Sequence, residues 1–204
     1  MFIFVARSPD PARKPALLSE IVEFLLDKPL ATLSFRTLAV GLGVSTYTLV
    51  YHFGTRAQLM REIMAAVTER QDAVVPDVEH ETGDMRTHIA NIRRSWRLGL
   101  DQRSRQLQRL EIEAAMFEAR EDPLTATSVR VFARWHEVGV GALQKMGLDL
   151  ADAELEARLM VDTIYGLQYD LIVSRDEARA TAAFERALAA YEGRIRALIA
   201  DVVV

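Results

Sequence analysis

The 204-residue chain contains no cysteine, which excludes a disulfide framework, thiolate catalysis and cysteine-built zinc sites, and fits a cytoplasmic protein. No stretch approaches the roughly 20 uncharged apolar residues that a membrane-spanning helix requires. The opening Met1-Phe2-Ile3-Phe4-Val5 is apolar, but it is short, lacks a basic residue ahead of it and soon meets Arg7, Pro9, Pro11 and Pro15. It reads as an N-terminal extension and not as a signal peptide. The glycines are scattered singly, so there is no phosphate-cradling loop. Alternating apolar and polar runs bounded by hairpin turns are also missing, which argues against strands. Strong positive charge is lacking too. The formal net charge is −4, with six Lys/Arg against four Asp/Glu in residues 1–60 and a balance of −6 in the remainder. Charge alone does not point to nucleic acid.

What is present is apolar material at helical spacing. Half of the residues are hydrophobic, enough for one large helical domain or a small domain fused to a larger one. Leu17, Leu18, Ile21, Val22 and Leu25 form the apolar face of a first helix that should stop before Pro29. Ser34 is a fitting N-cap for a short second helix through Leu42, with Gly43 as its stop. Ser45 caps a third helix ending near Phe53. Thr55-Arg56-Ala57-Gln58 has the capping-box pattern and opens a fourth, continued by Leu59, Ile63 and Val67. Pro76 to Gly83 is the best domain boundary in the chain. Beyond it come a helix on Met85, Ile89, Ile92, Trp96 and Leu100, and another around Leu107, Leu110, Ala114 and Phe117. A third opens at Asp122-Pro123 and closes at Gly147, with Gly139 and Gly141 inside it as points of close packing, a hinge or chance. A fourth starts at Asp149 or Asp152.

Leu33 to Leu59 carries the functional signal. Two short helices joined by Gly43-Val44-Ser45 match a helix-turn-helix. On a wheel at about 100° per residue, Tyr47, Thr48, Tyr51 and His52 share one arc, while Thr46, Leu49, Val50 and Phe53 share the other. The second arc can seat on Ile21, Phe35, Leu38 and Leu42. The first offers two phenols, a hydroxyl and an imidazole, groups able to meet base edges or phosphate oxygens.

Thr37-Leu38-Ala39, Gly43-Val44-Ser45, Leu49, His52-Phe53 and Arg56, spaced as here, resemble the DNA-binding signature of the TetR family of bacterial regulators. The resemblance covers roughly residues 15–65. The chain departs from the family at Tyr47, where a small residue is usual, at Val50, where a tyrosine is usual, and at Arg56, commonly lysine. An operator sequence therefore cannot be borrowed. The resemblance implies an all-α fold: an N-terminal three-helix, helix-turn-helix DNA-binding domain over residues 15–60, a connecting helix over 61–75, and a C-terminal helical effector-binding and dimerisation domain over 82–204. It implies phosphate contacts from Thr37 and His52, and major-groove contacts from Tyr47, Thr48 and Tyr51. Ser45 and Thr46 would lie at the leading end of the reading helix, though Ser45 can equally act only as a cap. Arg56 would add charge near the backbone, and Arg7, Arg13 and Lys14 further phosphate contacts. The implied partners are a palindromic double-stranded DNA operator, a second copy of the chain and a small hydrophobic or aromatic effector, with no cofactor, metal or membrane.

For the effector pocket the bulky candidates are Ile92, Trp96, Met116, Phe117, Trp135, Tyr165 and Tyr169, each of which can also be plain core. Phe184, Leu188, Tyr191, Ile195, Leu198 and Val202 are spaced 4, 3, 4, 3 and 4, and Ile164, Leu167 and Leu171 continue a similar seam from Met160. Either seam alone can be a core stripe. Two together near the C-terminus favour a four-helix dimer interface. No catalytic constellation stands out: Glu79-His80-Glu81 lies in the linker, His88 lacks a helical histidine partner, and Glu111, Glu113 and Glu118 read as a charged helix face. The expected function is a transcriptional regulator, a repressor released by an apolar effector. The alternatives are a DNA-binding regulator controlled by a protein partner or by abundance and, least favoured, an enzyme.

Overall fold

The computed structural model describes residues 12–72, 83–121 and 127–202. Among these residues it is all helix: α1 Arg13–Leu25, a 3-10 turn Leu30–Thr32, α2 Phe35–Leu42, α3 Thr46–Phe53, α4 Arg56–Asp72, α5 Met85–Leu98, α6 Gln102–Glu121, α7 Thr127–Lys145, α8 Leu150–Ser174 and α9 Glu177–Val202. The expected Asp122-Pro123 helix start and most of the Pro76–Gly83 boundary lie outside the described residues.

Local chemistry sets the helix ends. Ser34 Oγ accepts the Thr37 N–H at 3.1 Å, and Thr37 Oγ1 accepts the Ser34 N–H at 2.9 Å, a reciprocal cap in which threonine replaces the usual Glu or Gln. Gly43 ends α2 at φ +66°, a left-handed conformation that costs a side chain-bearing residue strain. Ser45 Oγ accepts the Thr48 N–H at 3.0 Å, and Thr55 and Gln58 close a second reciprocal cap at the start of α4. Asp149, not Asp152, caps α8.

Two apolar cores form. The first gathers Leu17, Ile21, Val22 and Leu25 of α1 with Leu38, Leu49 and Phe53 of the helix-turn-helix and Leu59, Ile63 and Val67 of α4. Leu107, Leu110 and Ala114 of α6 complete it, so a helix from beyond the sequence boundary helps to hold the N-terminal unit. Polar ties reinforce this: Arg109 donates to the carbonyls of Leu25 and Leu26 at 2.8 and 3.0 Å, and Glu113 accepts the Leu30 N–H at 2.6 Å. The second core joins α5, α7, α8 and α9 around Trp96, Leu143, Met160, Phe184, Leu188, Tyr191 and Ile195. Burial of such side chains contributes about 1.5–3 kcal/mol each. Gly139 lets α7 meet α8, since a Cβ there would stand 3.0 Å from that of Ala157.

This second core corrects the expected dimer seam. Phe184, Leu188, Tyr191, Ile195 and Leu171 are buried inside the single chain, Leu167 and Leu198 pack partly buried against them, and Ile164 does so while facing a cavity. The 4-3-4 apolar spacing marks the inner face of α8 and α9. Glu111 and Glu118 are a second correction. Both are buried, so α6 carries them inward and they are no solvated face.

Candidate nucleic-acid interface and ligand cavity

The α3 helix seats on the first core through Leu49 and Phe53 alone. Thr46 and Val50, placed on the inner arc by the wheel, are exposed. Eight residues make barely two turns, and α3 crosses its neighbours over only the Leu49–Phe53 edge, so the buried stripe is narrower than an apolar arc suggests. The outer side carries Tyr47 and Tyr51, 78% and 61% exposed, with ring centroids 6.4 Å apart and planes at 23°. His52 is half-buried and meets the Tyr51 ring edge-on at 5.1 Å. Val40 of α2 and Val50 of α3 are exposed as well. Val40 was not singled out in the sequence and Val50 was placed on the inner arc, because an apolar residue in a short helix reads as core.

The remaining expected contacts are positioned by caps. Thr37 and Ser45 have their hydroxyls engaged in capping α2 and α3, and Thr48 Oγ1 lies 2.8 Å from Ser45 Oγ. Arg56 is exposed, its guanidinium 5.2 Å from the centre of the Phe117 ring. Arg13 and Lys14 belong to α1, and Lys14 Nζ is tied to Glu62 at 2.7 Å, so they are less available than a free arm would be. Arg7 lies outside the described residues.

A cavity of about 200 Å³ opens between α4, α5, α6, α7, α8 and α9. Ile92, Trp96, Trp135 and Tyr165 line it as expected. Three candidates do not. Met116 and Tyr169 point to solvent, 65% and 58% exposed, and Phe117 packs against the first core beneath Arg56. Adjacent residues on a helix diverge by about 100°, so Met116 and Phe117 could not both have faced one pocket. Sequence reasoning missed Arg70, the amides of Asn91, Gln108 and Gln168, and Tyr191, which had been assigned to the dimer seam. Within the walls, His88 Nε2 and the Tyr191 hydroxyl lie 2.9 Å apart, and Trp96 stacks on Phe184 at 4.6 Å. Tyr165 donates to the buried Glu111 at 3.0 Å, and burial, followed by that carboxylate, raises its phenol well above the ordinary range.

One polar cluster links the cavity to α1. Arg70 of α4 lines the cavity and donates to Glu23 and to Ser19 of α1, both at 2.7 Å. Arg103 of α6 donates to the same Glu23 at 2.5 and 2.9 Å. Chiefly through Arg103, and then Arg70, the Glu23 carboxyl is held below its ordinary range.

On the outer faces, Leu155, Leu159, Asp162, Gly166, Tyr169 and Val173 of α8 are all exposed at spacings of 4, 3, 4, 3 and 4. Ala183, Arg186, Ala190, Gly193 and Ala197 of α9 form a second exposed row of mainly small residues. A Cβ built at Gly166 or Gly193 meets nothing within 4 Å.

No protein-family model matches the chain, and no curated protein does. Solved structures do. It is similar to a transcriptional regulator from Rhodococcus sp. Rha1, with a TM-score of 0.70 at 20% identity over 92% of this chain and 96% of that one. A TetR transcriptional regulator from Legionella pneumophila superposes at 0.64, with 16% identity over 92% and 98%. The multidrug binding protein EbrR, complexed with imidazole, gives 0.59 at 23% identity over 89% and 96%. The fold of this chain, from helix-turn-helix to α9, is the all-helical fold of TetR-type regulators.

Proposed function

We propose that this chain is a dimeric, sequence-specific, DNA-binding transcriptional regulator of the TetR type, a repressor released when a small, largely apolar molecule fills the cavity. The observation that carries the reading is the face of α3. Tyr47 and Tyr51 expose two aromatic rings on an eight-residue helix presented by a helix-turn-helix, where exposure without a partner has no structural purpose. In the major groove these phenols and Thr46 reach base edges. Thr37, His52 and Arg56 flank them at positions suited to phosphate, and the Ser45–Thr48 cap fixes the start of the helix.

Two reading heads require a dimer, and the exposed rows of α8 and α9 supply its face. Leu155, Leu159, Tyr169 and Val173 give the apolar contact, and Gly166, Ala190, Gly193 and Ala197 allow close approach of helices across a two-fold axis. The buried seam first assigned to this role instead keeps the outer face in register.

Regulation follows from linkage. A molecule that prefers the conformer with wrongly spaced heads must weaken DNA binding by the same factor that DNA weakens its own binding. The α4 and α6 helices are the connectors, because each has one face in the N-terminal core and residues lining the cavity. The test is a selection of bound duplexes from a random pool, repeated with the double variant Tyr47→Ala, Tyr51→Ala. The wild type is expected to enrich a two-fold symmetric site, and the variant to lose that enrichment while keeping its helicity and dimerisation. A variant that enriches the same site with equal affinity would remove α3 as the reading helix.

A further inference from the structure

Arg70 both lines the cavity and bonds to α1, and its surroundings specify what should fill the cavity. The described lining residues include no Asp or Glu. They include one guanidinium, that of Arg70, and the His88 imidazole, which is paired with Tyr191, together with the amides and hydroxyls of Asn91, Ser95, Ser104, Gln108 and Gln168. The rest of the wall is mainly aromatic and apolar, with Trp96, Trp135, Tyr165 and Tyr191 foremost. At about 200 Å³ the space is below the ~300–1,000 Å³ usual for drug-sized ligands, so its occupant is small, such as one ring with a short chain.

We propose that the cavity binds a small aromatic or apolar acid whose anionic group draws Arg70 away from Glu23, and that this exchange loosens α1 from α4. The proposal rests on the reading of the cavity as an effector site and names the ligand class and the switch.

The exchange leaves no charge stranded. Glu23 already holds two cations, and when Arg70 leaves, Arg103 still donates to both of its carboxylate oxygens. Ser19 loses its guanidinium donor at a position open to water. The Arg70–Glu23 pair is itself a weak competitor, because the Glu23 side chain is 42% exposed and its attraction is screened by solvent and salt. A carboxylate inside a largely apolar cavity meets the same guanidinium with less screening. The Glu111 carboxylate lies behind the wall, where it accepts hydrogen bonds from Tyr165 at 3.0 Å and from Gln108 at 3.0 Å. The structural consequence falls on α1. Arg70 ties α1 to α4 at both Ser19 and Glu23, beside the Lys14–Glu62 pair nearer the start of α1, and after the exchange Glu23 bonds to α6 alone.

The chain's two tryptophans, Trp96 and Trp135, both line the cavity, so intrinsic fluorescence reports its occupancy. The full-length protein is titrated with 3-phenylpropanoate, 3-phenylpropan-1-ol and 3-phenylpropylamine, in the wild type and in Arg70→Gln and Glu23→Gln. The acid is expected to bind at least about tenfold more tightly than the alcohol, the ratio a single charge-assisted hydrogen bond supplies, and the amine most weakly. Arg70→Gln abolishes the advantage of the acid and leaves the alcohol unchanged. Glu23→Gln, which removes the competitor, strengthens the acid several-fold without altering the alcohol, an effect that a merely structural Arg70 would not show. Amide exchange in α1 rises with the acid in the wild type and not in Arg70→Gln. Equal affinity for acid and alcohol, a preference for the amine, or an acid preference that survives Arg70→Gln would overturn the anion assignment and leave the effector site standing. Acid binding with α1 exchange unchanged would overturn the switch. If none of the three probes changes fluorescence or melting temperature, the effector-site reading falls and the proposal falls with it.

Discussion

Replacing Phe184 by alanine separates the inner face of α9 from the outer face of α8 by measurement. Phe184 is fully buried, and its ring stacks on Trp96 with centroids 4.6 Å apart and planes at 6°. Removal of a buried Phe side chain costs about 3–5 kcal/mol, and loss of the aromatic pair puts this site in the upper part of that range, near 4. For a chain of this size each kcal/mol lowers Tm by about 2–4 °C, so a fall of about 8–16 °C is expected. Since folding free energies are typically ~5–15 kcal/mol, the variant should still be folded at 25 °C. Leu159→Ala is the contrasting change. Leu159 is 43% exposed in the single chain, so its loss should cost the isolated protomer no more than about 0.5 kcal/mol while weakening the pairing of two copies. The assay is chemical denaturation of both variants at two protein concentrations a hundredfold apart, with sedimentation to read the association state. Phe184→Ala should lose a similar amount of stability at both concentrations. The deficit of Leu159→Ala should be largest at the higher concentration and shrink on dilution, because dissociated copies draw no stability from the interface. The reverse pattern, with Phe184→Ala dissociating copies and Leu159→Ala merely unfolding them, would refute the assignment of inner and outer faces.

Other substitutions test the local reasoning. Gly43→Ala should destabilise by about 1–2 kcal/mol although nothing stands within 4 Å of the added Cβ, because the cost is the φ of +66°; Gly43→Asn should cost less, as read by thermal melting. Ser45→Ala should remove about 1 kcal/mol through loss of the α3 cap, detectable as faster amide exchange in the first turn of α3. The carboxyl of Glu23 is held below its ordinary range in the folded chain, so its contribution is present above the unfolded value near 4.3 and is lost as pH falls through the folded value. Glu23→Gln should therefore flatten the acid limb of stability against pH, by well under about 1 kcal/mol given solvent screening; an unchanged acid limb would show that the Arg70–Glu23–Arg103 cluster adds nothing.

Most of the N-terminal fold was legible because its determinants are local. Ser34, Gly43, Ser45 and the Thr55–Gln58 pair each fix a helix end through partners within three residues or through one backbone torsion, and each stands where the sequence places it. The faces of longer helices were harder. Helical spacing shows that α8 and α9 carry apolar seams, but α8 has two: Met160, Ile164, Leu167 and Leu171 look inward, and Leu155, Leu159, Tyr169 and Val173 outward. Spacing assigns residues to a face and does not say which face meets the rest of the same chain. The cavity was half legible for a similar reason. Trp96, Trp135 and Tyr165 stand out by size, whereas Arg70 becomes part of the wall only because α4 packs on α6 and α7 from further along the chain, and its partners Glu23 and Ser19 lie 47 and 51 residues away. Burial of Glu111 depends in the same way on a phenol 54 residues further along, which no pattern within α6 announces.

The central claim is that α3 reads DNA in a sequence-dependent way, and equilibrium binding of the purified protein to the duplex upstream of its own gene tests it most directly. Measured beside an unrelated duplex over a salt series, binding to the upstream duplex is expected to be tighter, to weaken as salt rises and to protect a two-fold symmetric site. Affinity no greater than for unrelated duplex at every salt concentration, with no site enriched from a random pool, would contradict it.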